Sequence, residues 1–338
     1  MSAEGARLSS SPFIANLTPK EKSWWRVLVT LLAGGFGGFI LALLGGIIAL
    51  LVLAAAAGAL SGSIPQMANN VISLVKGQSS GLIGAMALLV LAAASNTPWA
   101  AAFIVIAALM MGRPVLRYLT AAPRFRWRLL LSGLLISGLF VGVIVAVGQL
   151  TDPHAPPPPM LSVAPDLSSR LIYVVACILL LIPAAAAEEV LFRGWLLRET
   201  AGITRNPWVL MALNGILFSA IHGLNAPSEL QPDPFLTRAL MGAGFVYMTL
   251  RVGGVELSTG AHAANNILIV LFIEPLTLSS NSPPGMHLDA ALQDLFLFFS
   301  YVLLAEMTVR WAPLRRWAGV DQARSQTSQA IAAAEPSA

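Results

Sequence analysis

Apolar residues along the chain form eight long runs separated by polar segments. The runs cover about residues 26 to 58, 81 to 112, 129 to 150, 171 to 197, 208 to 224, 235 to 250, 255 to 275 and 291 to 311. A helix of roughly 20 residues crosses about 30 Å of hydrocarbon, and each run is long enough, or nearly long enough, to do so. Because every backbone polar group must be satisfied inside the lipid, these runs predict helices. We therefore predict an all-α, polytopic integral membrane protein with about eight transmembrane helices.

The composition supports a membrane protein and excludes a soluble one. The 338 residues are 57% hydrophobic and 11% charged, with a mean hydropathy of +0.76, whereas soluble domains carry roughly 25% charged residues. The net charge of +4 does not indicate nucleic-acid binding, because the basic residues are concentrated in particular loops. Membrane lipid is the predicted partner, and no nucleic-acid partner is predicted. Cys177 is the single cysteine, which excludes an internal disulfide.

The basic residues alternate from loop to loop along the chain. They precede the first run and fill the second, fourth and sixth loops and the tail, with Lys20, Lys22, Arg113, Arg117, Arg198, Arg205, Arg251 and Arg310 among them. The loops at 152–168, 223–233 and 274–289 contain no Arg or Lys. The positive-inside rule then predicts a multi-pass protein of the cell (inner) membrane with both termini in the cytoplasm. The first 23 residues lack the apolar core of a signal peptide, so we expect the first helix to be retained.

The polar segments also suggest a division of the chain into five parts. We predict a cytoplasmic N-terminal segment at 1–25, a three-helix membrane region at 26–150, a Pro-rich outer loop at 151–170, a five-helix membrane domain at 171–311 and a disordered cytoplasmic tail at 312–338. The outer loop is inferred from the run Ala155-Pro156-Pro157-Pro158-Pro159, because a polyproline-like run cannot form a membrane-spanning helix. The disordered tail is inferred from its Ala, Ser and Gln content.

The fourth run contains three charged residues, Glu188, Glu189 and Arg193. Charged side chains at bilayer depth are costly and usually mark functional pathways. Residues four apart share one face of a helix, so Glu189 and Arg193 are predicted to form a structural ion pair. Glu188 points about a quarter turn away and is predicted to act as a general base.

Two later runs each carry a pair of residues that share one helix face and include a histidine. Phe218 and His222 lie four residues apart, as do His262 and Asn266. We predict that Phe218 walls a cavity, that His222 helps to activate water, and that His262 and Asn266 donate hydrogen bonds to an oxyanion. Asn265 is expected to bond to a neighbouring helix. Taken singly, His222 would more often be an interhelical hydrogen-bonding residue than a catalyst, and His262 with Asn266 could be either. The glutamates alone could form a proton relay or a structural ion pair.

The predicted depths of these side chains do not agree. At 1.5 Å per residue from Arg198 and Arg251, Glu188, His262 and Asn266 lie roughly 15 to 23 Å deep, whereas His222 lies about 26 Å from Arg205. A tilted or offset helix is therefore predicted to bring His222 level with Glu188.

Three ordered motifs resemble those of the CAAX protease and bacteriocin-processing (CPBP, or Abi) family of intramembrane proteases. The motifs are Glu188-Glu189-x-x-x-Arg193, Phe218-x-x-x-His222 and His262-x-x-x-Asn266, within a match from about Leu171 to Leu276. The resemblance implies that Glu188 and His222 activate water while His262 and Asn266 hold the oxyanion. It also implies an endopeptidase acting on a membrane-associated or lipidated protein or peptide. We expect the cavity to open to the cytoplasm.

Members of this family are often labelled metalloproteases, so a cofactor has to be considered. Glu188, His222 and His262 could hold a divalent metal such as zinc with an open position for water. The chain has no His-Glu-x-x-His motif, and a glutamate-dependent mechanism uses the same residues, so no obligatory metal is predicted. Two other classes stay open: a proton-coupled membrane transporter, and a non-catalytic immunity or scaffold protein.

Overall fold

The computed structural model describes residues 3–15, 17–61, 69, 73, 81–151, 156–225, 227–276 and 286–323. Throughout these residues the fold is helical, with one isolated bridge between Thr120 and Gly254. Each of the eight apolar runs forms a main helix. These are α3 (Trp24–Val29, continuing through a π-helical turn at Thr30–Gly34 into Gly35–Ser61), α4 (Gly81–Met111), α6 (Trp127–Thr151), α8 (Leu167–Glu189, continuing through a π-helical turn at Val190–Leu196 into Leu197–Ile203), α9 (Pro207–Asn225), α10 (Pro232–Val252), α11 (Glu256–Phe272) and α12 (Leu288–Arg310).

Short helices connect and cap these main helices. They are α1 (Ala3–Ser9), α2 (Pro12–Ala15), α5 (Leu116–Leu119), α7 (Pro159–Ser162) and α13 (Ala312–Ala318), together with 3-10 turns at Pro19–Lys22 and Pro227–Leu230. The predicted Pro-rich outer loop contains α7, whereas its residues 152–155 lie outside the described part of the chain.

Five of the main helices are long and apolar enough to cross a membrane on their own. They are Trp24–Ala55, Gly81–Met111, Trp127–Thr151, Leu167–Ile203 and Ala290–Arg310, and the apolar part of α9 is shorter. The chain is therefore an all-helical, polytopic membrane protein, as predicted. The finer count of eight crossings depends on α9, α10 and α11, and it stays a prediction.

Helix α11 lies in the middle of the bundle, which explains why its sequence is more polar than that of a lipid-facing helix. Every residue from Glu256 to Asn265 is buried. Its most extensive contact is with α6, and it also packs on α8 and α10. Protein rather than lipid surrounds its polar side chains, and such surroundings lower the cost of placing them at membrane depth.

Glycines allow the helices of this bundle to approach closely. A Cβ atom at Gly260 of α11 would lie 2.0 Å from the carbonyl oxygen of Leu130 on α6, and one at Gly133 would lie 2.2 Å from that of Leu257. At the crossing of α9 and α10, a Cβ on Gly215 would lie 2.4 Å from the carbonyl oxygen of Ala239. Small residues at such contacts are the usual means of helix association in membranes.

The N-terminal segment packs against the same end of the bundle that carries the arginines. Phe13 and Ile14 are buried in the main core. Arg198 of α8 donates to the carbonyl oxygen of Phe13 and also pairs with the buried carboxylate of Glu21 at 2.8 Å. Arg113 pairs with the other oxygen of Glu21 at 2.9 Å. These contacts fold the segment onto α8.

The C-terminal tail differs from the prediction in its first part. Residues 312–323 were predicted to be disordered with the rest of 312–338, but they include α13 and bury Ala318, Val320 and Ala323. Apolar burial against the bundle therefore orders this part of the tail. Residues 324–338 lie outside the described residues.

Candidate active site

The first motif lies where α8 changes from an α-helix to a wider π-helical turn. Glu188 and Glu189 are the last two residues of the α-helical part, and Arg193 lies within the turn at Val190–Leu196. π-helical turns inside helices frequently occur at functional sites. Nη1 of Arg193 lies 2.8 Å from Oε1 of Glu189, and Nη2 donates to the carbonyl oxygen of Gly242 at 3.3 Å. Both side chains are buried.

Aromatic rings surround the buried guanidinium of Arg193. Its central carbon lies 4.4 Å from the ring centre of Phe218, 5.1 Å from that of Phe245 and 5.8 Å from that of Phe192. A cation within about 6 Å of an aromatic face is attracted by the ring quadrupole. Phe218, which was predicted to wall a cavity, thus contacts Arg193 and also lines the cavity described below.

Glu189 also contacts the third motif. Nδ1 of His262 lies 3.0 Å from Oε1 of Glu189, the same oxygen that pairs with Arg193. Because a carboxylate accepts hydrogen bonds, Nδ1 carries the hydrogen, and Nε2 is left facing the opposite way. The ring of Phe245 lies beside the imidazole with centroids 5.2 Å apart.

His222 of the second motif is held in a similar orientation by a backbone group. Its Nδ1 lies 2.8 Å from the carbonyl oxygen of Phe218. A carbonyl can only accept, so Nδ1 must be the donor, and in the neutral imidazole Nε2 carries the lone pair. The ring of Phe218 lies against the imidazole with centroids 4.6 Å apart.

Glu188 brings the two histidines into one site. Its Oε2 lies 3.7 Å from Nε2 of His222 and 3.7 Å from Nε2 of His262. This buried oxygen accepts no hydrogen bond from any of the described residues. Distances of this length are too long for direct hydrogen bonds but match a bridging water. The structure therefore brings Glu188, His222 and His262 together around one small space.

Asn266 lies on the same cavity one helical turn beyond His262. Asn265 lines this cavity too, and its Nδ2 lies 3.4 Å from Oδ1 of Asn266. This hydrogen bond lies within α11, and the expectation that Asn265 bonds to a neighbouring helix stays a prediction. The two amides are consecutive in the chain, and both line the cavity.

A cavity of about 840 Å³ extends from Glu188, His222 and His262 along the inside of the bundle. It reaches Asp233 at the start of α10, Leu276 after α11 and His287 before α12. These helix ends adjoin the loops that contain no Arg or Lys, which are predicted to face outward. With the predicted orientation of the chain, the cavity therefore faces the outer side. This disagrees with the expectation that the cavity opens to the cytoplasm.

The depth of His222 is explained by the lengths of α8 and α9. Helix α8 continues past Arg198 to Ile203, fifteen residues beyond Glu188, and α9 begins at Pro207, fifteen residues before His222. Two consecutive antiparallel helices of this length place the two side chains at one level. Arg198, which served as the depth marker, is not at the helix end.

The residues present do not form an arranged metal site. Among the described residues, no group of three or more His, Cys, Asp or Glu side chains could hold a metal ion. The possibility that Glu188, His222 and His262 bind a divalent metal stays a prediction, and the three are considered below as acid–base and hydrogen-bonding groups. Phe245 is a site residue that the sequence did not indicate, because α10 carries no polar motif that would mark its inner face.

Comparison with known proteins agrees with this geometry. Residues 170–268, which contain all three motifs, match the family "Type II CAAX prenyl endopeptidase Rce1-like". The chain is 34% identical over 167 residues to the uncharacterized protein YyaK of Bacillus subtilis (strain 168), an alignment that covers 48% of this chain and 54% of that protein. It thus spans about half the length of this curated relative. No solved structure is significantly similar to the chain. Residues 170–268 therefore form a domain of the Rce1-like type II CAAX prenyl endopeptidase family.

Proposed function

We propose that the protein is an intramembrane endopeptidase that hydrolyses a peptide bond of a membrane-associated or lipidated protein or peptide. The observation that carries this proposal is the position of one carboxylate oxygen of Glu188, 3.7 Å from an imidazole nitrogen of each of two histidines. The family domain at residues 170–268 supports the same reaction class.

The hydrogen-bonding roles of these groups define how a water would be held. Oε2 of Glu188 and Nε2 of neutral His222 are both acceptors, and a water between them donates one hydrogen to each. The oxygen lone pair of that water then points away from both groups, toward a substrate carbonyl. This is the orientation that a nucleophilic water needs.

Hydrolysis follows from this arrangement in two steps. Glu188 takes a proton from the water as the oxygen attacks the carbonyl carbon, and negative charge develops on the carbonyl oxygen. Protonated Nε2 of His262 and the amide of Asn266 stabilise this oxyanion. The C–N bond then breaks, and the leaving amine takes the proton from Glu188.

His262 lies between the two carboxylates of the site. Its Nδ1 lies 3.0 Å from Oε1 of Glu189, and its Nε2 lies 3.7 Å from Oε2 of Glu188. Because Nδ1 donates to Glu189, the mechanism requires that Nε2 also carries a hydrogen when it acts as the oxyanion donor.

The substrate and orientation proposals follow from the membrane setting. We propose eight crossings with both termini in the cytoplasm, as the distribution of basic residues indicates. The site then lies within the membrane, where a peptide attached to the bilayer by a lipid or an apolar segment can reach it. No step in this mechanism passes through a metal.

The test is cleavage of a peptide library by the purified protein in detergent, for wild type, Glu188→Gln and His222→Ala, each with and without a chelator. Glu188→Gln preserves shape and should lower kcat by about 10²- to 10⁴-fold, as removal of a general base does. Glu274→Gln, an exposed carboxylate after α11, is the matched control and should cleave normally.

Each outcome of this test has a defined meaning. Cleavage lost in both site variants and retained with chelator is the expected result. Equal cleavage by Glu188→Gln and wild type would sink the proposal. Proton flux into liposomes without any cleavage product would instead favour a transporter.

A further inference from the structure

Glu188 and His222 border a second cavity, which is distinct from the one described above. This second cavity has a volume of about 270 Å³, and the two cavities have only Glu188 and His222 in common. Its outer wall comes from α3 and α4, with Leu31, Gly35, Asn96, Trp99 and Phe103. These helices lie outside the matched family domain at residues 170–268.

We propose that this second cavity is a specificity subsite that binds one large apolar side chain of the peptide substrate, next to the scissile bond. The inference rests on the proposed endopeptidase function and adds a role for the N-terminal helices. The scissile bond then lies at Glu188 and His222, where the two cavities meet. The larger cavity holds the remainder of the peptide.

The size of the second cavity favours part of a substrate over a whole ligand. Pockets that take drug-sized ligands measure roughly 300–1,000 Å³, and this one is slightly smaller at about 270 Å³. Its lining is mainly aliphatic and aromatic. Leu31 and Trp99 are partly exposed on the outer surface of the helices, so an apolar group can enter from the membrane side.

A polar side chain in this lining favours a peptide over a plain hydrocarbon chain. Asn96 places an amide at the cavity. A hydrocarbon chain offers this amide no hydrogen-bond partner, and a buried unpaired donor is unfavourable. The backbone carbonyl of a bound peptide can accept from Asn96 while its side chain fills the apolar space.

Gly35 is a lining position of the second cavity at which an added Cβ atom is not crowded. A Cβ atom at Gly35 meets no atom within 4 Å. Gly148 on α6 has the same property, but it does not line either cavity. Gly35→Leu and Gly148→Leu are therefore a matched pair, in which the same side chain is added at an uncrowded position inside or outside the proposed subsite.

The experiment compares kcat/KM of wild type, Gly35→Leu and Gly148→Leu on peptides that differ in one side chain beside the cleaved bond. Gly35→Leu should lower kcat/KM for Phe, Trp or Leu peptides by about 10- to 100-fold, and leave Ala and Gly peptides within about twofold. Gly148→Leu should keep the wild-type profile. Trp99→Ala enlarges the subsite and should shift preference toward the largest side chains, which provides a second test if Gly35→Leu does not fold.

A second arm uses the same peptides with a farnesyl group on a cysteine, to separate a side chain from a lipid chain as the occupant. If Gly35→Leu impairs only the farnesylated peptides, the subsite binds lipid and the side-chain assignment is overturned. Identical side-chain profiles for wild type, Gly35→Leu and Trp99→Ala would overturn it as well. If wild type cleaves no peptide, the endopeptidase proposal itself fails, which is a distinct result.

Discussion

Nδ1 of His262 lies 3.0 Å from Oε1 of Glu189, and this oxygen is also 2.8 Å from Nη1 of Arg193. Glu189 is therefore more than the partner of an ion pair. It orients the imidazole of His262 so that Nε2 points toward Glu188, as the proposed oxyanion role requires. The ion pair in turn holds Glu189 in place.

We expect Glu189→Gln to lower kcat by about 10²-fold or more while leaving KM nearly unchanged, because an amide does not stabilise the imidazolium of His262. Steady-state kinetics on the folded fraction measures this effect. Glu306→Gln is the control, because Glu306 pairs with Arg251 at 2.5 Å and contacts neither histidine. Its kcat should stay normal. An unchanged kcat in folded Glu189→Gln would limit Glu189 to a structural role.

Glu189→Gln should also destabilise the protein, because it removes the carboxylate that pairs directly with the buried guanidinium of Arg193. Breaking one partner of a buried pair costs about 3–5 kcal/mol. Adding Arg193→Met removes the unpaired charge and retains contact with the three phenylalanine rings, so the double variant should regain part of the lost stability. Thermal unfolding in detergent measures this. A double variant less stable than Glu189→Gln would contradict the charge argument.

The sequence predicted which residues of each motif share a helix face, but it did not predict the depth of His222. The spacing of four in each motif places the paired residues on one face of a helix, and this follows from local helix geometry alone. The structure brings those faces together at Glu188. The level of His222 could not be counted correctly, because Arg198 lies inside α8 and is buried against the N-terminal segment instead of marking the membrane edge.

Other features depend on long-range packing, which no local pattern encodes. Phe245 contacts both Arg193 and His262, but it lies in an apolar stretch of α10 where one ring resembles another. The folding of residues 312–323 depends on apolar surface that the bundle supplies. The direction of the large cavity depends on how α10, α11 and α12 separate at one end, and the sequence of each helix alone does not determine that.

The crossing of α6 and α11 should be sensitive to a single methyl group. A Cβ on Gly260 would lie 2.0 Å from a backbone oxygen, whereas one on Gly138 would meet its nearest neighbour, the Cβ of Ala264, at 3.8 Å. We expect Gly260→Ala to lose about 1–3 kcal/mol of stability, because backbone cannot move aside easily. Gly138→Ala on the same pair of helices should be nearly neutral. Equal melting temperatures for the two variants would show that α6 and α11 can move apart without a loss of stability, which contradicts this prediction.

The attachment of the N-terminal segment should depend on pH through Glu21. Burial acts to raise the pKa of Glu21, but the guanidinium of Arg198, the amide of Thr18 and the guanidinium of Arg113 hold it below its ordinary value of 4.5. Because the pKa is lower in the folded state, the stabilisation is complete above that ordinary value and is lost as the pH falls further. Wild type should therefore exceed Glu21→Gln in stability near neutral pH, by about 3–5 kcal/mol. The difference should shrink under acid conditions.

Thermal unfolding of wild type and Glu21→Gln between neutral and acid pH measures this dependence. Glu274→Gln, at an exposed position, should follow the wild-type curve throughout. A stability difference that grows as the pH falls would have the wrong sign and would reject the role assigned to Glu21.

The side of the membrane on which the large cavity opens can be decided by labelling single cysteines. Cys177 is the only native cysteine and is buried, so a Cys177→Ala background is suitable. Glu274, exposed just after α11, lies at the cavity end of the bundle, and Lys22 is exposed at the opposite, arginine-rich end. The positive-inside rule predicts that Glu274→Cys reacts with an impermeant thiol reagent in intact cells, and that Lys22→Cys reacts only after permeabilisation. The reverse pattern would restore a cavity open to the cytoplasm and would require the basic loops to face outward. If the peptide enters by this cavity, the labelling result also identifies the compartment from which substrate reaches Glu188.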